Sequence, residues 1–247
     1  VEPIRSTRNP RLQRVRALGR ASGRRDQGVF VVDGEDLVDA AIRAGAEIEE
    51  LLVCEGEPVP HVNGITPLIV GVETMAAVSS VRSGSRIIAV VRRDSLPPAP
   101  STLSGVALAL CGVGDPGNVG TLLRSAAAFA VEVVVLGSPS ADPTSPKAVR
   151  AAMGATFFVP TLDVDPAVAY PEARLVALDA AGDVDLADAD LSGPVVIAVG
   201  AEREGLPHAV LKRAQVVCRI PQSADAESLN VAAAGAIALA QAYRSQR

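Results

Sequence analysis

Val195–Pro207 reads VVIAVGAEREGLP, and Gln215–Asn230 reads QVVCRIPQSADAESLN, leading into an alanine-rich stretch that runs to Arg247. The apolar runs Val195–Val199 and Val216–Ile220 are short, β-branched and stopped at once by Gly200 and Pro221, the pattern of buried strands. Each strand therefore ends in a backbone loop. The two loops carry compact polar groups: Glu202 and Glu204 on the first, Ser223, Glu227, Ser228 and Asn230 on the second. Open α/β sheets bind ligands at the carboxyl ends of their strands. Two such ends this close in sequence predict one shared pocket.

Working outward, the 247 residues suffice for one large domain or two modest ones with a real core. No run of 18 apolar residues occurs, which predicts a protein without a membrane span. The start of the chain shows no n-region followed by the apolar h-region of about 7–15 residues that marks a secretion signal, and a cytoplasmic location is the expected default. Cys54, Cys111 and Cys218 are far apart inside apolar runs and read as buried thiols, with no disulfide framework or zinc spacing. His61 and His208 are too isolated to suggest a metal site, and none is expected.

The net charge of −5 hides an asymmetry. Residues 1–25 carry Arg5, Arg8, Arg11, Arg14, Arg16, Arg20, Arg24 and Arg25 against the single acid Glu2. Arginine favours bidentate phosphate contacts over the point-charge contacts of lysine. A basic patch on an otherwise acidic chain points to nucleic acid, with Arg5, Arg8, Arg11, Arg14, Arg24 and Arg25 as candidate RNA contacts. The alternative is a solvated helix face or a frayed basic tail.

The next residues predict a strand (Val29–Val32), a turn at Asp33-Gly34 and a helix to Gly45. Strands follow at Ile48–Cys54, Pro67–Val72 and Arg86–Val91, with a short helix over Glu73–Val81. This is a small α/β unit. Arg92–Thr102 (RRDSLPPAPST) is Pro-rich and reads as a linker. The expected partition is 1–92, a linker at 93–102, and 103–247. The second unit opens with the strand Gly105–Leu110, a glycine-rich turn and a helix over Val119–Ala130. Strands at Val131–Leu136, Phe157–Leu162 and Leu175–Leu178 follow, with a helix over Pro146–Met153. The two opening strands enclose a helix over His208–Ala214, and the last helix spans Asn230–Tyr243.

Gly112–Gly117 matches G-x-G-x-x-G between a strand and a helix, which raises a dinucleotide site. Asp115 would set a carboxylate against the pyrophosphate, Pro116 removes an N–H, and Leu136-Gly137-Ser138 offers no acid to a ribose. Asn118 lies at the helix start and reads equally as an N-cap. Arg124 falls in an apolar run and wants a partner, or snorkels to water. Either Ser228 or Asn230 can cap the last helix, but hardly both do.

Three blocks together resemble the SpoU (TrmH) branch of the SPOUT RNA methyltransferases: DPGNVGTLLRSA (Asp115–Ala126), VGAEREGLP (Val199–Pro207) and RIPQSADAESLNVAAAGAI (Arg219–Ile237). The stretch FVVDGEDLVDAAIRAG (Phe30–Gly45) resembles the L30e-like RNA-binding domain that many members carry. The resemblance implies an α/β fold class. A small L30e-like α/β domain would precede a catalytic domain with a parallel sheet and a C-terminal trefoil knot, an exception to the no-knot rule. It further implies a homodimer and S-adenosylmethionine as cofactor, held at Val199, Gly200, Ile220 and Leu229. Asn118, Arg124, Glu202, Ser228 and Asn230 would surround the reacting ribose, with Arg124 working near the partner's pocket. The chain departs from the family pattern at Gln222, Ala224 and Asp225, at Ala152, and at Ala201 and Arg203 beside Glu202.

The expected activity is therefore methyl transfer to a ribose 2′-hydroxyl of RNA, with 23S ribosomal RNA favoured over transfer RNA because of the extra N-terminal domain. A guanidinium titrates above about 12, so Arg124 is expected to clamp a phosphate rather than act as a base. Two other classes stay open at this point: a non-catalytic ribosome-assembly factor, from the arginine-rich start, and a nicotinamide-dependent oxidoreductase, from Gly112–Gly117.

Overall fold

The computed structural model describes residues 2–81, 84–223 and 228–247. Two compact units emerge: residues 1–96 with 142–157, and residues 97–141 with 158–247.

In the first unit, α1 (Pro10–Ala17) and α2 (Ala21–Gln27) precede β1 (Val29–Asp33), α3 (Glu35–Arg43) and β2 (Ile48–Cys54). Then come β3 (Leu68–Val70), α4 (Val72–Val78) and β4 (Ile87–Arg92). The sheet runs β1-β4-β2-β3; β4 is antiparallel to both its neighbours, and β2 pairs parallel with β3. The basic segment, for which the sequence offered a helix face only as the alternative reading, folds into α1 and α2. Its Leu12, Val15 and Leu18 are buried against Val29, Val31 and Met75. Their three-residue spacing is helical, but the arginines between them mask it. Asn9 caps α1 by accepting from the Arg11 N–H at 3.0 Å, with Pro10 in the first turn.

Residues 142–157 belong to this unit although they lie inside the expected 103–247 domain. Their helix α6 (Pro146–Ala152), capped by Ser145, buries Val149 in the core of α3 and the sheet. Phe157, expected to begin a strand, sits in a 3-10 turn, and its ring centroid is 6.1 Å from that of Phe30. The strand β7 (Thr161–Asp163) forms only beyond Pro160, which has no N–H to give a ladder.

The second unit contains β5 (Val106–Cys111), α5 (Pro116–Ala128), β6 (Val133–Gly137), β7, β8 (Arg174–Leu178) and β9 (Val184–Asp185). It is completed by β10 (Val195–Gly200), α7 (His208–Arg213), β11 (Val216–Arg219) and α8 (Val231–Ser245). The seven strands run β7-β6-β5-β10-β8-β11-β9, with every pair parallel. β5 and β6 are buried throughout and β10 almost so, which explains their unbroken apolar sequences. β10 and β11 are separated in the sheet by β8, so the chain steps over β8 between them. α5 packs against α8. A Cβ added at Gly235 of α8 would fall 2.4 Å from Leu122 Cδ2, so the glycine sets the helix spacing.

Candidate active site at the strand ends

The carboxyl ends of β8, β10 and β11 enclose a cavity of about 520 Å³, within the range of small-ligand pockets. Val199, Gly200, Ile220 and Leu229 line it, together with Glu202, Ser228 and Asn230. Leu178, Asp179 and Ala180, which follow or end β8, line it as well and were not singled out from the sequence. The available signal was an acid directly after a strand, but periodicity does not say which strand lies between which. Gln222 also lines the cavity, whereas Ala152 is buried in α6 of the first unit. Glu227 and the departures at Ala224 and Asp225 lie outside the described residues.

The loop after β10 is closed by two mutual hydrogen bonds, Ala201 N–H to Gly205 O and Gly205 N–H to Ala201 O, both 3.0 Å. A Cβ at Gly200 would stand 2.3 Å from the Gly205 carbonyl carbon, so only glycine allows this fold-back. The result is a tight backbone cradle whose tip presents Glu202 and Arg203 to solvent.

At the cavity mouth the polar set is hydrogen-bonded in one direction. Asn230 caps α8, its Oδ1 accepting from the N–H groups of Ala232 and Ala233 at 2.9 and 3.3 Å. Its Nδ2 is then left to donate, and does so to Asn118 Oδ1 at 3.3 Å. Asn118 Nδ2 in turn donates to Glu202 Oε1. The helix cap thus fixes the orientation of both amides and of the carboxylate. Asn118 does not cap α5; Asp115 does, accepting from the Asn118 N–H at 3.0 Å. The N-terminus that would meet a pyrophosphate in a dinucleotide site is occupied by that carboxylate.

Arg124 is not brought to this cluster. It projects from α5 into solvent, with no hydrogen bond or ion pair among the described residues. Ser228 is exposed and lines the cavity.

The six candidate RNA-contacting arginines divide evenly. Arg24 is only 3% exposed, donates to Asp142 Oδ2 at 2.8 and 3.0 Å and reaches the carbonyls of Leu18 and Gly19. Arg14 bridges Glu49 at 2.7 Å and Glu50, and Arg5 pairs with Glu55 at 2.9 Å. Burial alone would lower the Arg14 pKa, but the bonds to Glu49 and Glu50 outweigh it and raise it. Burial would push the Asp142 carboxyl up; hydrogen bonds from Thr144 and Arg24, with the charge of Arg93, hold it below its ordinary range. Arg8, Arg11 and Arg25 are exposed, and their guanidinium groups have no partner among the described residues. Arg20 is placed likewise. The Cys111 thiol, buried and near Asp165, is pushed up to about 12, which leaves it un-ionised at neutral pH.

A parallel α/β unit with a ligand cleft at its strand ends, joined to a small mixed-sheet unit rich in arginine, defines a two-domain enzyme acting on a polyanion. Comparison with known proteins is specific. Residues 105–240 match the SpoU rRNA Methylase family and residues 9–89 the MRM3-like substrate binding domain; the chain belongs to the SpoU family. It is 27% identical over 244 residues to the 23S rRNA (guanosine(2553)-2'-O)-methyltransferase RlmP of Bacillus subtilis, covering 96% of this chain and 97% of that one. The AdoMet-bound rRNA methyltransferase of Sinorhizobium meliloti superposes with a TM-score of 0.88 at 29% identity, covering 98% and 97% of the two chains. The SpoU methyltransferase AviRb of Streptomyces viridochromogenes, in complex with AdoMet, gives 0.87 at 26% identity, covering 97% and 100%. The chain is an RNA methyltransferase, and S-adenosylmethionine is its methyl donor.

Proposed function

We propose that this enzyme methylates a ribose 2′-hydroxyl of large-subunit ribosomal RNA and works as a homodimer. The observation that carries the reading is the ordered run Asn230–Asn118–Glu202 at the mouth of the strand-end cavity. The cavity fits the donor chemically. Leu178, Val199, Ile220 and Leu229 offer apolar surface, and the Gly200–Gly205 fold-back offers backbone at close range. Bound there, S-adenosylmethionine supplies an electrophilic methyl group.

The protein's part is then largely positioning. Glu202, held through Asn118, keeps its Oε2 without a hydrogen bond among the described residues. That oxygen is the acceptor for the hydroxyl proton of the incoming ribose. Ser228 and Asn230 flank the same opening. Arg124 clamps a substrate phosphate from the second copy's side, which accounts for its standing unpaired and away from its own chain's cavity. Ala233, Ile237 and Ala240 form a stripe on the outer side of α8 suited to that second copy; Ile237 is 43% exposed. The step of the chain over β8 is compatible with a C-terminal trefoil knot.

Mapping modified nucleotides by mass spectrometry in large-subunit RNA incubated with protein and donor tests the reaction. Ribose methylation at one position is expected. Methyl groups confined to bases, or to transfer RNA alone, would overturn this reading.

A further inference from the structure

The middle of the donor cavity is held by a carboxylate that the family resemblance did not bring out. β8 lies between β10 and β11, so the residue following it, Asp179, stands over the centre of the three strand ends. Its backbone is anchored, the N–H donating to Cys218 O at 2.9 Å and the carbonyl accepting from Gly182 N–H at 3.1 Å. Its Oδ1 accepts from Ala181 N–H at 2.9 Å. Oδ2 makes no hydrogen bond among the described residues and lies 3.9 Å from where a Cβ on Gly205 would stand, across the cradle. The side chain is thus fixed by one oxygen and half-buried, with the other left beside the cavity.

The two sides of the cavity differ in chemistry. Toward β5 stand Asn118, Glu202 and Asn230, the reacting end. Toward β11 stands Ile220, with Leu178 at the end of β8 itself, apolar surface for a purine. In a ligand whose sugar joins the reacting sulfur to the purine, the sugar crosses the intervening strand, about 4.8 Å from its neighbour. A carboxylate at a strand's carboxyl end accepts well from ribose hydroxyls.

We infer that Asp179 is a specificity-determining residue that accepts hydrogen bonds from the ribose hydroxyls of the methyl donor through Oδ2. The inference rests on reading the cavity as the donor site. It requires that binding depend on the sugar diol, independently of the amino-acid part of the ligand.

Titration calorimetry on the full-length protein tests it, with S-adenosylmethionine, S-adenosylhomocysteine, 5′-methylthioadenosine and the 2′,3′-dideoxy form of the last as probes. Asp179→Asn keeps the Oδ1 contact to Ala181 and is expected to weaken the first three by a similar factor, on the order of tenfold. The dideoxy probe is expected to bind wild type and variant alike. Should the variant fail to fold, the wild type alone decides: the dideoxy probe must bind about tenfold more weakly than its parent. A loss confined to S-adenosylmethionine and S-adenosylhomocysteine would assign the carboxylate to the amino group and overturn the inference. Equal binding of all four probes to both proteins would overturn it while leaving the donor site intact. A wild type that binds none of them overturns the donor site and the inference together.

Discussion

The cleft of the parallel-sheet unit and the basic helices of the mixed-sheet unit treat their polar side chains in opposite ways. In the cleft, Asn230, Asn118 and Glu202 are hydrogen-bonded in series, yet Glu202 stays exposed with one oxygen unused. In α1 and α2, the arginines nearest the core are closed off: Arg24 is locked to Asp142 and two carbonyls, and Arg14 lies between two glutamates. The first arrangement orients groups for something outside the chain. The second neutralises charge within it. A count of cations therefore overstates the surface available to RNA, whereas Glu202 and Asn230 of the polar cluster line the strand-end cavity, in reach of a ligand.

The largest expected effects fall in the cleft. Asn118→Ala unlinks Glu202 from the α8 cap, and Arg124→Ala removes the proposed phosphate clamp. Each should lower methyl transfer by about 10²–10³-fold, the range seen when one preorganised donor is removed. Calorimetric binding of S-adenosylmethionine should stay within a few-fold of wild type. Turnover unchanged in Arg124→Ala would remove that residue from the mechanism and, with it, the need for a second copy at the site.

Next comes the buried pair on the other side of the contrast. Asp142→Ala strands Arg24 in the core and should cost about 3 kcal/mol in chemical denaturation at neutral pH, since an unpaired buried charge is left behind. The Asp142 carboxyl is held below its ordinary range in the folded state. Its contribution is therefore complete above the unfolded-state pKa of about 4 and fades as pH falls through the folded value. Wild type and variant should converge in acid. A constant gap from pH 7 to pH 3 would mean that packing, not charge, sets the loss.

A smaller effect tests the floor beneath the cleft. Gly235→Ala pushes a methyl group toward the buried Leu122 and should cost about 1–3 kcal/mol, the usual range for overpacking. Thermal denaturation reads it directly. No loss would show that the α5–α8 contact yields easily and does not hold Asn118 and Asn230 in register.

How much of this could be read in the chain depends on the distance between partners. The strand β2 spans the expected Ile48–Cys54, and β10 and β11 differ by one residue at an end, because buried strands write themselves as apolar runs. The loops after them were legible because glycine, proline and polar residues are contiguous there. The helix α1 was not, since three apolar residues among arginines give a weak period. Nor was the placement of α6 and Phe157, whose core partners run from Val91, 58 positions before Val149, to Phe30, 127 positions before Phe157. Asp142 lies in a stretch rich in proline and serine (Ser138–Pro146), and its bond to Arg24 spans 118 positions. Asp179 needed the strand order, which no local pattern encodes. Asn118 illustrates both limits. Its place at the helix start was plain, but the cap belongs to Asp115, and only the fold brings Glu202 to its side chain.

The weakest single effects, and the sharpest test of the contrast, lie among the arginines. A guanidinium that neutralises a phosphate releases a counterion, so its removal lowers the slope of log affinity against log salt by about 1. Arg8→Ala, Arg11→Ala and Arg25→Ala should each do this, with little change in stability, because those side chains are exposed and unpaired among the described residues. Arg24→Ala should do the reverse, lowering stability and leaving the slope alone, since its charge already faces Asp142. Arg14→Ala belongs with Arg24 on the same ground, its charge being met by Glu49 and Glu50. Filter binding to a large-subunit RNA fragment across a salt series separates the two groups. If Arg24 and Arg8 shift the slope equally, the carboxylate at Asp142 yields to RNA phosphate on binding, and the internal pairs are a reserve of cations released when the substrate arrives.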